Sequence, residues 1–567
     1  AGVEVVSVQG LADLVRGKSR AEVLLRGMGE QANQVEVSWF ARGPEGHVHV
    51  AAREVQLAPG RKTPVSLVLR LDRRGAYTTW LEITDSGGAR YTSVPAQARI
   101  PDRYEALLLR PAYRQSLYAA LPRHELRVQL TPYPFDEDFT GAVLKTVFVQ
   151  KGKVLLSHTC GAPQAAGKPW VMSVDLSAVE LAPGPARLRL AVERRGKRLW
   201  TKSWQIKVVP PHTPQVALGP ELETYVNGEP FFPIGLYHAP VEAFDRARAL
   251  GFNCVQVWGN TVESARKSLD AVEAHGLKAL LEMSGLLRGK YRAEDFRAVV
   301  RACRDHPALL AWYPVDEPAE TMYEACLDAY RICREEDPHH PVYLVMCRPD
   351  AFARFVATTD VLAVDPYPIP SAPVGLVASW CRRAADAVGE RQAFWLIPQL
   401  QNLAAYRGDP SKGRGPTPQE EWCMVFQGLI YGAKGIIYYP WDDGKCGLVH
   451  EPALMKELPR INAFLAKWGQ PIAASRRTLL SGLGKSEPRE GTPELHAALF
   501  TGERGCLLLA TNTGKQPRQL TVKLAEHGGV RGVVRSVLDG RSWKIEGGTV
   551  SIRLDPLEVV AAEIVRK

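Results

Sequence analysis

The 567-residue chain lacks several motifs that mark common enzyme classes. No GxGxxG loop follows the first apolar strand of its central region, which argues against a dinucleotide-binding fold. No GxSxG elbow is present, so serine-histidine-aspartate catalysis has no support. No HExxH motif appears, and we expect neither a catalytic metal nor a cofactor. No apolar run reaches membrane-spanning length, so we expect no membrane span.

Cysteine pairs and one-sided charge are also absent. The ten cysteines form no CxxC pair, and eight of them fall within 254–446, which favours buried free thiols over a disulfide framework. The net charge of +10 arises from 71 basic and 61 acidic residues that are interspersed. Because no basic helix or aromatic RNA-binding motif accompanies this charge, we expect no nucleic-acid partner, although an acidic polysaccharide is compatible with it.

The chain begins Ala-Gly-Val, without methionine or an apolar leader. This beginning suits a processed, exported protein, and it suits a trimmed recombinant chain equally well. We therefore expect a secreted or periplasmic location.

The length predicts three or four domains, and the apolar pattern divides the chain into four regions. Residues 1–101 and 102–212 alternate apolar and polar residues between turn signals, which is typical of β-sandwiches, the first of them Ig-like. A Pro-Pro-His-Thr-Pro run at 210–214 forms a stiff linker. The alternation returns over residues 475–567 and predicts a C-terminal sandwich.

Residues 213–474 have a different hydrophobicity pattern, in which apolar runs alternate with amphipathic helical stretches. The candidate strands are 231–238, 254–259, 278–283, 309–315, 342–346, 361–365, 394–399 and 435–441. Near-continuous apolar strands separated by helices indicate a parallel sheet buried on both faces. Eight such units predict a closed (β/α)8 TIM barrel, so the predicted fold is a barrel flanked by N-terminal and C-terminal β-sandwich domains.

The C-terminal ends of barrel strands carry the functional residues in this architecture. The polar and aromatic residues predicted there are His238, Trp258, Asn260, Glu282, Asp316, Glu317, Asp365, Tyr367, Gln399, Gln401, Trp441 and Asp442. Amides and carboxylates bind sugar hydroxyls, and aromatic rings stack on the apolar faces of pyranose rings. A phosphate site would instead require glycine-rich loops with Lys or Arg. We therefore predict a carbohydrate substrate.

The run AWYPVDEP at 311–318 resembles the strand-4 signature of a large clan of retaining glycosidases built on this barrel. The run YVNGEPF at 225–231 is similar to the hairpin that opens the barrel in β-galactosidase-like members of that clan. The resemblance covers mainly residues 222–470. It implies a glycoside hydrolase that acts on β-linked hexosides in oligo- or polysaccharides, with Glu317 as the acid/base.

The residues around Glu317 support this role independently. Glycoside cleavage needs a carboxylic acid whose pKa is raised by apolar surroundings or by a neighbouring charge. Glu317 follows an apolar strand and adjoins Asp316, so both influences are available. The alternative is a helix N-terminal acid, because Pro318 suits the first position of a helix.

Two positions depart from the clan's pattern. Asp316 stands where the clan has an asparagine that binds the sugar 2-hydroxyl. Gln399 and Gln401 occupy the end of strand 7, where the clan has its nucleophilic glutamate. A glutamine amide cannot form the glycosyl ester of a retaining mechanism.

Three explanations for the missing nucleophile stay open. The second carboxylate comes from another strand end, with Asp365 favoured over Asp442, Asp443 and Glu282, although Asp365 also suits a turn cap before a proline. Alternatively, Asp316 and Glu317 act with a substrate group or through different chemistry. In the third explanation, the barrel is a carbohydrate-binding protein that does not hydrolyse its ligand. A carboxyl separation of about 5 Å from Glu317 indicates retention, and about 6.5–9.5 Å indicates inversion.

Overall fold

The computed structural model describes residues 3–133, 138–481, 493–524 and 532–566. The chain forms two compact units. The first unit comprises Ala1–Leu108, Arg127–Ser173 and Arg187–Trp204, and the second comprises Leu109–Leu126, Val174–Ala186 and Gln205–Lys567. The four domain boundaries expected from the sequence stay a prediction.

The N-terminal region is a β-sandwich. Its strands are β1 (Val3–Gln9), β2 (Gly17–Gly27), β3 (Asn33–Arg42), β4 (Val48–Leu57), β5 (Lys62–Leu71), β6 (Gly75–Asp85), β7 (Arg90–Thr92) and β8 (Ala96–Ile100). One sheet has the order β1-β2-β5, and the other has the order β4-β3-β6-β7 with β8 also paired to β6. The period-two pattern is confirmed, because Val37 and Trp39 of one sheet and Leu67 of the other are buried in one core.

The next eight strands belong to two further sheets. They are β9 (Tyr104–Arg110), β10 (Ser116–Tyr118), β11 (Glu125–Pro132), β12 (Val143–Gln150), β13 (Lys153–Gly161), β14 (Trp170–Asp175), β15 (Gly184–Arg194) and β16 (Lys197–Val209). Strands β16, β15, β12 and β13 are neighbours in one sheet, and β14, β11 and β9 form another.

A short sheet of β17 (Val216–Leu218), β18 (Thr224–Val226) and β19 (Glu229–Pro230) leads into the barrel. The barrel strands are β20 (Ile234–Leu236), β21 (Cys254–Trp258), β22 (Lys278–Glu282), β23 (Leu309–Tyr313), β24 (Tyr343–Met346), β25 (Val361–Val364), β26 (Ala393–Leu396) and β27 (Ile436–Tyr438). The helices are α1 (Phe244–Ala249), α2 (Val262–Ala274), α3 (Ser284–Arg288), α4 (Ala293–Cys303), α5 (Tyr323–Glu336), α6 (Phe352–Phe355), α7 (Leu376–Val388), α8 (Pro418–Tyr431) and α9 (Pro452–Ala473).

The barrel sheet contains all eight predicted strands in parallel. Its order is β23-β22-β21-β20-β27-β26-β25-β24, and a parallel bridge between Trp312 and Val342 joins the two ends of that order. The predicted barrel is therefore confirmed. The strands are shorter than the predicted runs because the apolar segments continue into the turns that enter and leave the sheet.

Alternate side chains of the barrel strands face inward and outward. Cys254 and Ile437 belong to the interior cluster, whereas Val255 and Tyr438 pack with the surrounding helices. A Cβ atom on Gly235 of β20 would lie 2.6 Å from Ile437 Cδ1 and 2.9 Å from Cys254 Sγ. Glycine is required here because the interior leaves no room for a larger residue.

The C-terminal strands are β28 (Arg476–Ser481), β29 (Leu495–Gly502), β30 (Gly505–Asn512), β31 (Arg518–Lys523), β32 (Gly532–Ser536), β33 (Ser542–Lys544), β34 (Thr549–Leu554) and β35 (Val559–Arg566). They form a sheet of order β28-β29-β30-β35-β32-β33 and a β31-β34 pair. Leu499, Val522 and Ile552 are buried in the core between them, so the predicted C-terminal sandwich is confirmed.

All ten cysteines are free, as expected from their spacing, and seven of them are buried. Among the described residues, no helix has both the length and the apolar character needed to cross a membrane.

An unpartnered acid is buried between α8 and the barrel. Glu421 is 0% exposed, and neither of its carboxyl oxygens has a hydrogen-bond partner among the described residues. The hydroxyl of Tyr438 on β27 is likewise buried without a partner there, and it interacts electrostatically with Glu421. Burial, and secondarily the charge of Glu420, raises the pKa of Glu421 well above its ordinary value.

This burial makes stability fall as pH rises. The unfolded chain releases the Glu421 proton near pH 4.3, whereas the folded chain keeps it to a higher pH. The contribution of Glu421 to the free energy of unfolding is therefore complete below about pH 4.3. It decreases as the pH rises toward the raised pKa of Glu421 in the folded chain. We expect Glu421→Gln to gain stability over wild type by up to about 1.4 kcal/mol per pH unit above that point, measured by denaturant unfolding from pH 4 to pH 8.

The exposed Glu324 on α5 provides the matched control. Glu324→Gln should show no such growing difference from wild type. A Glu421→Gln variant whose stability difference is constant with pH would contradict the prediction.

Candidate functional site

Three strand ends bring acidic residues together at the C-terminal rim of the barrel. Glu282 is the last residue of β22, and Asp316 and Glu317 follow β23. Asp365 directly follows β25. The side chains of Glu317 and Asp365 lie close enough to interact directly.

Glu317 and Asp365 have contrasting surroundings. Asp365 is 5% exposed, whereas Glu317 is exposed and adopts a left-handed backbone conformation with φ +37°. Burial raises the pKa of Asp365 well above its ordinary value, and the interaction with the Glu317 side chain and then the charge of Asp316 raise it further, whereas a backbone hydrogen bond opposes the rise. These influences together favour a protonated Asp365.

Asp316 is held by three neighbours. Tyr313 donates its hydroxyl proton to Asp316 Oδ1, the Asp316 N–H donates to Ser284 Oγ over 2.9 Å, and Arg288 donates to the Asp316 carbonyl oxygen. Burial raises the pKa of Asp316 to about 6, with the hydrogen bond from Tyr313 opposing the rise and the charge of Glu317 adding to it. Asp316 therefore has a fixed orientation beside the pair.

Glu282 connects neighbouring strand ends. Its Oε2 accepts from Gln256 Nε2 over 2.8 Å, and its Oε1 accepts from Ser284 Oγ over 2.5 Å. Gln256 Oε1 in turn accepts from the His238 N–H over 3.4 Å. Burial raises the pKa of Glu282 to about 7, and the hydrogen bond from Ser284 opposes this rise. Because both its oxygens are occupied and it is 6% exposed, Glu282 is suited to positioning the rim.

Buried tyrosines lie below the acids in the barrel interior. The hydroxyls of Tyr237 and Tyr343 are 3.0 Å apart, and the rings of Tyr313 and Tyr343 meet edge to face at 5.0 Å. Burial raises the pKa of all three well above the ordinary value, so they stay neutral and serve as hydrogen-bond donors.

An aromatic wall, formed by His238, Trp258, Tyr439 and Tyr367, stands on the same rim. The His238 ring lies 5.1 Å from both the Trp258 and Tyr439 rings, and Tyr439 stacks on Tyr367 at 5.7 Å. Trp258 is 47% exposed, so part of its ring is open to solvent. Burial lowers the pKa of His238 and favours a neutral imidazole.

Other residues predicted at the rim are engaged in hydrogen bonds or packing within the chain. Asn260 Oδ1 accepts from the Gly285 N–H over 2.9 Å, and Asp442 Oδ1 accepts from the Gly444 N–H over 2.9 Å. Trp441 is 5% exposed and packs in the core outside the barrel, with the Arg246 guanidinium over its ring. The structure does not bring Trp441 into the acidic group.

The strand-7 glutamines are fully buried. Gln399 Nε2 donates to the carbonyl oxygens of Ile369 and Gln401, and its Oε1 accepts from the Ile369 N–H over 2.9 Å. Gln401 Oε1 accepts from the Leu400 N–H, whereas its Nε2 has no hydrogen-bond partner in the part of the chain that the structure describes. Gln399 therefore connects the end of the seventh barrel strand (β26) to the loop after the sixth (β25).

Asp270, Glu273 and His306 form an acidic cluster with metal-ligand spacing on α2 and after α4. His306 Nδ1 accepts from the Ala308 N–H, so the ring proton is on Nε2, which lies 3.0 Å from Asp270. A hydrogen bond between His306 Nε2 and Asp270 accounts for this group without a metal.

A cavity of about 680 Å³ lies away from the rim, near the residues that enter the barrel strands. Its lining includes Phe232, Asn253 and Trp468. None of the acids at the rim lines it, so the acidic group at the strand ends is the candidate site.

Several residues near the acids were not expected from the sequence: Gln256, Ser284, Arg288, Tyr313, Tyr343, Cys347 and Tyr439. Cys347 follows β24, and its thiol interacts with Glu317. For Tyr313, the available signal was its position one residue before Pro314 at the end of an apolar strand. Its inward orientation depends on the register with Glu282 across the sheet, which a single sequence does not display.

No protein-family model matches the sequence, and no curated protein matches it. Solved structures are similar at low identity. AmyP in complex with maltose has a TM-score of 0.41 and 10% identity, and the alignment covers 57% of this chain and 89% of that one. A structure described as a glycoside hydrolase has a TM-score of 0.45 and 12% identity, with 62% of this chain and 97% of that one covered.

A β-glucuronidase from Bacteroides uniformis, covalently bound to a cyclophellitol-6-carboxylate aziridine, aligns over 95% of this chain and 71% of its own. Its TM-score is 0.32 and its identity is 10%. At these scores, the likenesses assign no activity, substrate or residue role to the present chain.

The hydrogen bond from Tyr313 opposes the raised pKa of Asp316, so removing the hydroxyl should raise that pKa beyond its wild-type value of about 6. We expect the Asp316 carboxyl of Tyr313→Phe to titrate at a higher pH than in wild type. Carbon-13 NMR of aspartate-labelled protein measures this titration, and Asp316→Asn identifies the signal.

Tyr343→Phe is the control, because the Tyr343 hydroxyl bonds Tyr237 and not Asp316. It should shift the Asp316 titration less than Tyr313→Phe does. Equal titration of Asp316 in Tyr313→Phe and wild type would show that the hydrogen bond does not set its ionisation.

Proposed function

We propose that the chain is a glycoside hydrolase that cleaves O-glycosidic bonds through the Glu317–Asp365 pair. The observation that carries this proposal is the meeting of one buried and one exposed carboxyl group at the rim of a closed barrel. Glycoside cleavage requires one carboxyl group that holds a proton and a second that is ionised.

The contact between the carboxyl groups favours a retaining mechanism. An inverting enzyme needs its two groups about 6.5–9.5 Å apart to admit a water molecule, whereas a retaining enzyme holds them about 5 Å apart. The side chains of Glu317 and Asp365 interact directly, which is nearer to the retaining spacing than to the inverting one. Asp365 thus supplies the second carboxylate that the end of strand 7 lacks.

The substrate proposal rests on the aromatic wall. Trp258 offers an open ring face beside His238, and an apolar pyranose face stacks on such a surface. We propose β-linked oligo- or polysaccharides as substrates, following the resemblance of the segment 311–318, and the exported location expected from the sequence stays part of this proposal.

A carbohydrate-binding protein without hydrolytic activity is the second candidate. The observation that favours it is the pair of buried glutamines at the end of strand 7, where no carboxylate stands among the described residues. The two functions differ in one measurable property, which is cleavage of the bound sugar.

A panel of 4-nitrophenyl α- and β-glycosides and of polysaccharides tests the proposal. We expect wild type to release nitrophenol or reducing ends from at least one substrate. Glu317→Gln and Asp365→Asn should each lower kcat/KM by about 10² to 10⁴-fold or more, because each removes one of the two catalytic carboxyl groups.

Glu320→Gln is the matched control, since Glu320 is exposed three residues beyond Glu317 and outside the pair. It should keep wild-type activity. Calorimetric binding of a polysaccharide that neither wild type nor any variant cleaves would support the second candidate and contradict hydrolysis.

Trp258 has its own test. We expect Trp258→Ala to raise KM for an oligosaccharide about 10-fold more than for the aryl monoglycoside, because the longer substrate gains more from the ring surface. Trp258→Phe keeps an aromatic face and should recover most of the loss. An equal effect of Trp258→Ala on both substrates would exclude the ring from an extended binding site.

A further inference from the structure

We propose that Asp365 is the proton donor of the pair and that Glu317 is the carboxylate that attacks the anomeric carbon. This inference rests on the proposed function and assigns the roles within it. It reverses the assignment that the resemblance implies, in which Glu317 is the acid/base.

The first support is the difference in solvation. Asp365 is 5% exposed, and its Oδ1 has no hydrogen-bond partner among the residues described, so burial disfavours a negative charge on that oxygen. Glu317 is exposed, and water solvates its charge. When one proton is shared between two such groups, it stays on the buried member.

The second support is the set of groups that face Asp365. Asp316 and Glu317 from the end of strand 4 are acidic, and their interactions disfavour a charge on Asp365, whereas a backbone hydrogen bond favours it. Tyr343 and Cys347 from strand 5 and Tyr367, two residues after Asp365, carry no positive charge that would offset the two acids. Arg348 interacts with Cys347, but it is exposed and donates to the Pro318 carbonyl oxygen.

The third support is the backbone around Glu317. Its φ of +37° is unfavourable for a residue with a side chain, and such strain persists only where the surroundings impose it. The flanking carbonyl oxygens are held, that of Asp316 by Arg288 and that of Pro318 by Arg348 over 2.8 Å. These contacts fix the turn that presents the Glu317 carboxylate at the open end of the barrel.

The proposed reaction has two balanced steps. A Glu317 oxygen forms an ester bond to the anomeric carbon while the bond to the leaving oxygen breaks and the Asp365 proton passes to that oxygen. Ionised Asp365 then takes a proton from water, whose oxygen bonds the anomeric carbon as the ester breaks. Both carboxyl groups return to their initial states, and the anomeric configuration is retained.

Leaving-group dependence separates the two roles. A 2,4-dinitrophenyl leaving group departs without a proton, whereas an unsubstituted phenyl group needs one. With both aryl glycosides of the sugar that the panel identifies, Asp365→Ala should lose about 10³-fold in kcat/KM on the phenyl substrate and at most about 10-fold on the dinitrophenyl substrate. Glu317→Ala should lose at least about 10³-fold on both.

Sodium azide provides a second readout that does not depend on rates. With Glu317→Ala, azide takes the place of the missing carboxylate and should give a glycosyl azide of inverted configuration. With Asp365→Ala, azide attacks the glycosyl ester and should give the retained configuration. Proton NMR of the products distinguishes the two anomers.

Glu320→Ala is the matched control and should behave as wild type with both substrates and with azide, and thermal unfolding checks that each variant is folded. If a variant fails to fold, the near-isosteric Glu317→Gln and Asp365→Asn replace it. The reversed pattern of leaving-group sensitivity and azide products would overturn the role assignment and leave the proposed hydrolysis intact. Equal losses on both substrates without azide products would overturn it as well, whereas a wild type that cleaves no glycoside would overturn both proposals.

Discussion

Two carboxyl groups in contact, one surrounded by protein and one by water, cannot both be charged without a large electrostatic penalty. The barrel imposes this constraint, because the ends of strands 4 and 6 hold Glu317 and Asp365 against each other. The remaining features of the rim depend on it. Asp316 adds a further negative charge, and no cation among the described residues forms an ion pair with Asp365. These surroundings favour a protonated Asp365 beside Glu317.

The rim around this pair is a continuous set of hydrogen bonds. The connection runs from the His238 backbone through Gln256, Glu282 and Ser284 to the Asp316 backbone, and so crosses the ends of four consecutive strands. Hydrogen bonds of this kind, made behind the acidic side chains, restrict the conformations that those side chains adopt. A change in Glu282 would therefore act on the acids indirectly, through the backbone that carries them.

The sequence predicted the barrel because each strand is a short apolar run between recognisable helices, and burial on both faces produces that pattern whatever the residues at the rim. It also predicted the acids, because residues at strand ends follow directly from the strand positions. It did not predict Tyr313 or Ser284, whose importance comes from register and turn geometry. Trp441 was expected at the rim. Its backbone N–H donates to the Tyr237 carbonyl oxygen, but its ring packs outside the barrel. The direction of a side chain that follows a strand end depends on the geometry of the turn, and the local sequence predicts that geometry poorly.

The buried amide of Gln399 has a consequence for how such a site changes over evolution or by design. Its NH2 group donates to two carbonyl oxygens, those of Ile369 and Gln401. A glutamate at this position would direct a negatively charged oxygen at both carbonyl groups and leave them without a donor. Introducing a carboxylate at the end of strand 7 therefore demands rebuilding of the loop after strand 6 as well as the exchange of a single side chain. The Gln399 amide thus stabilises a rim whose acidic residues follow strands 3, 4 and 6.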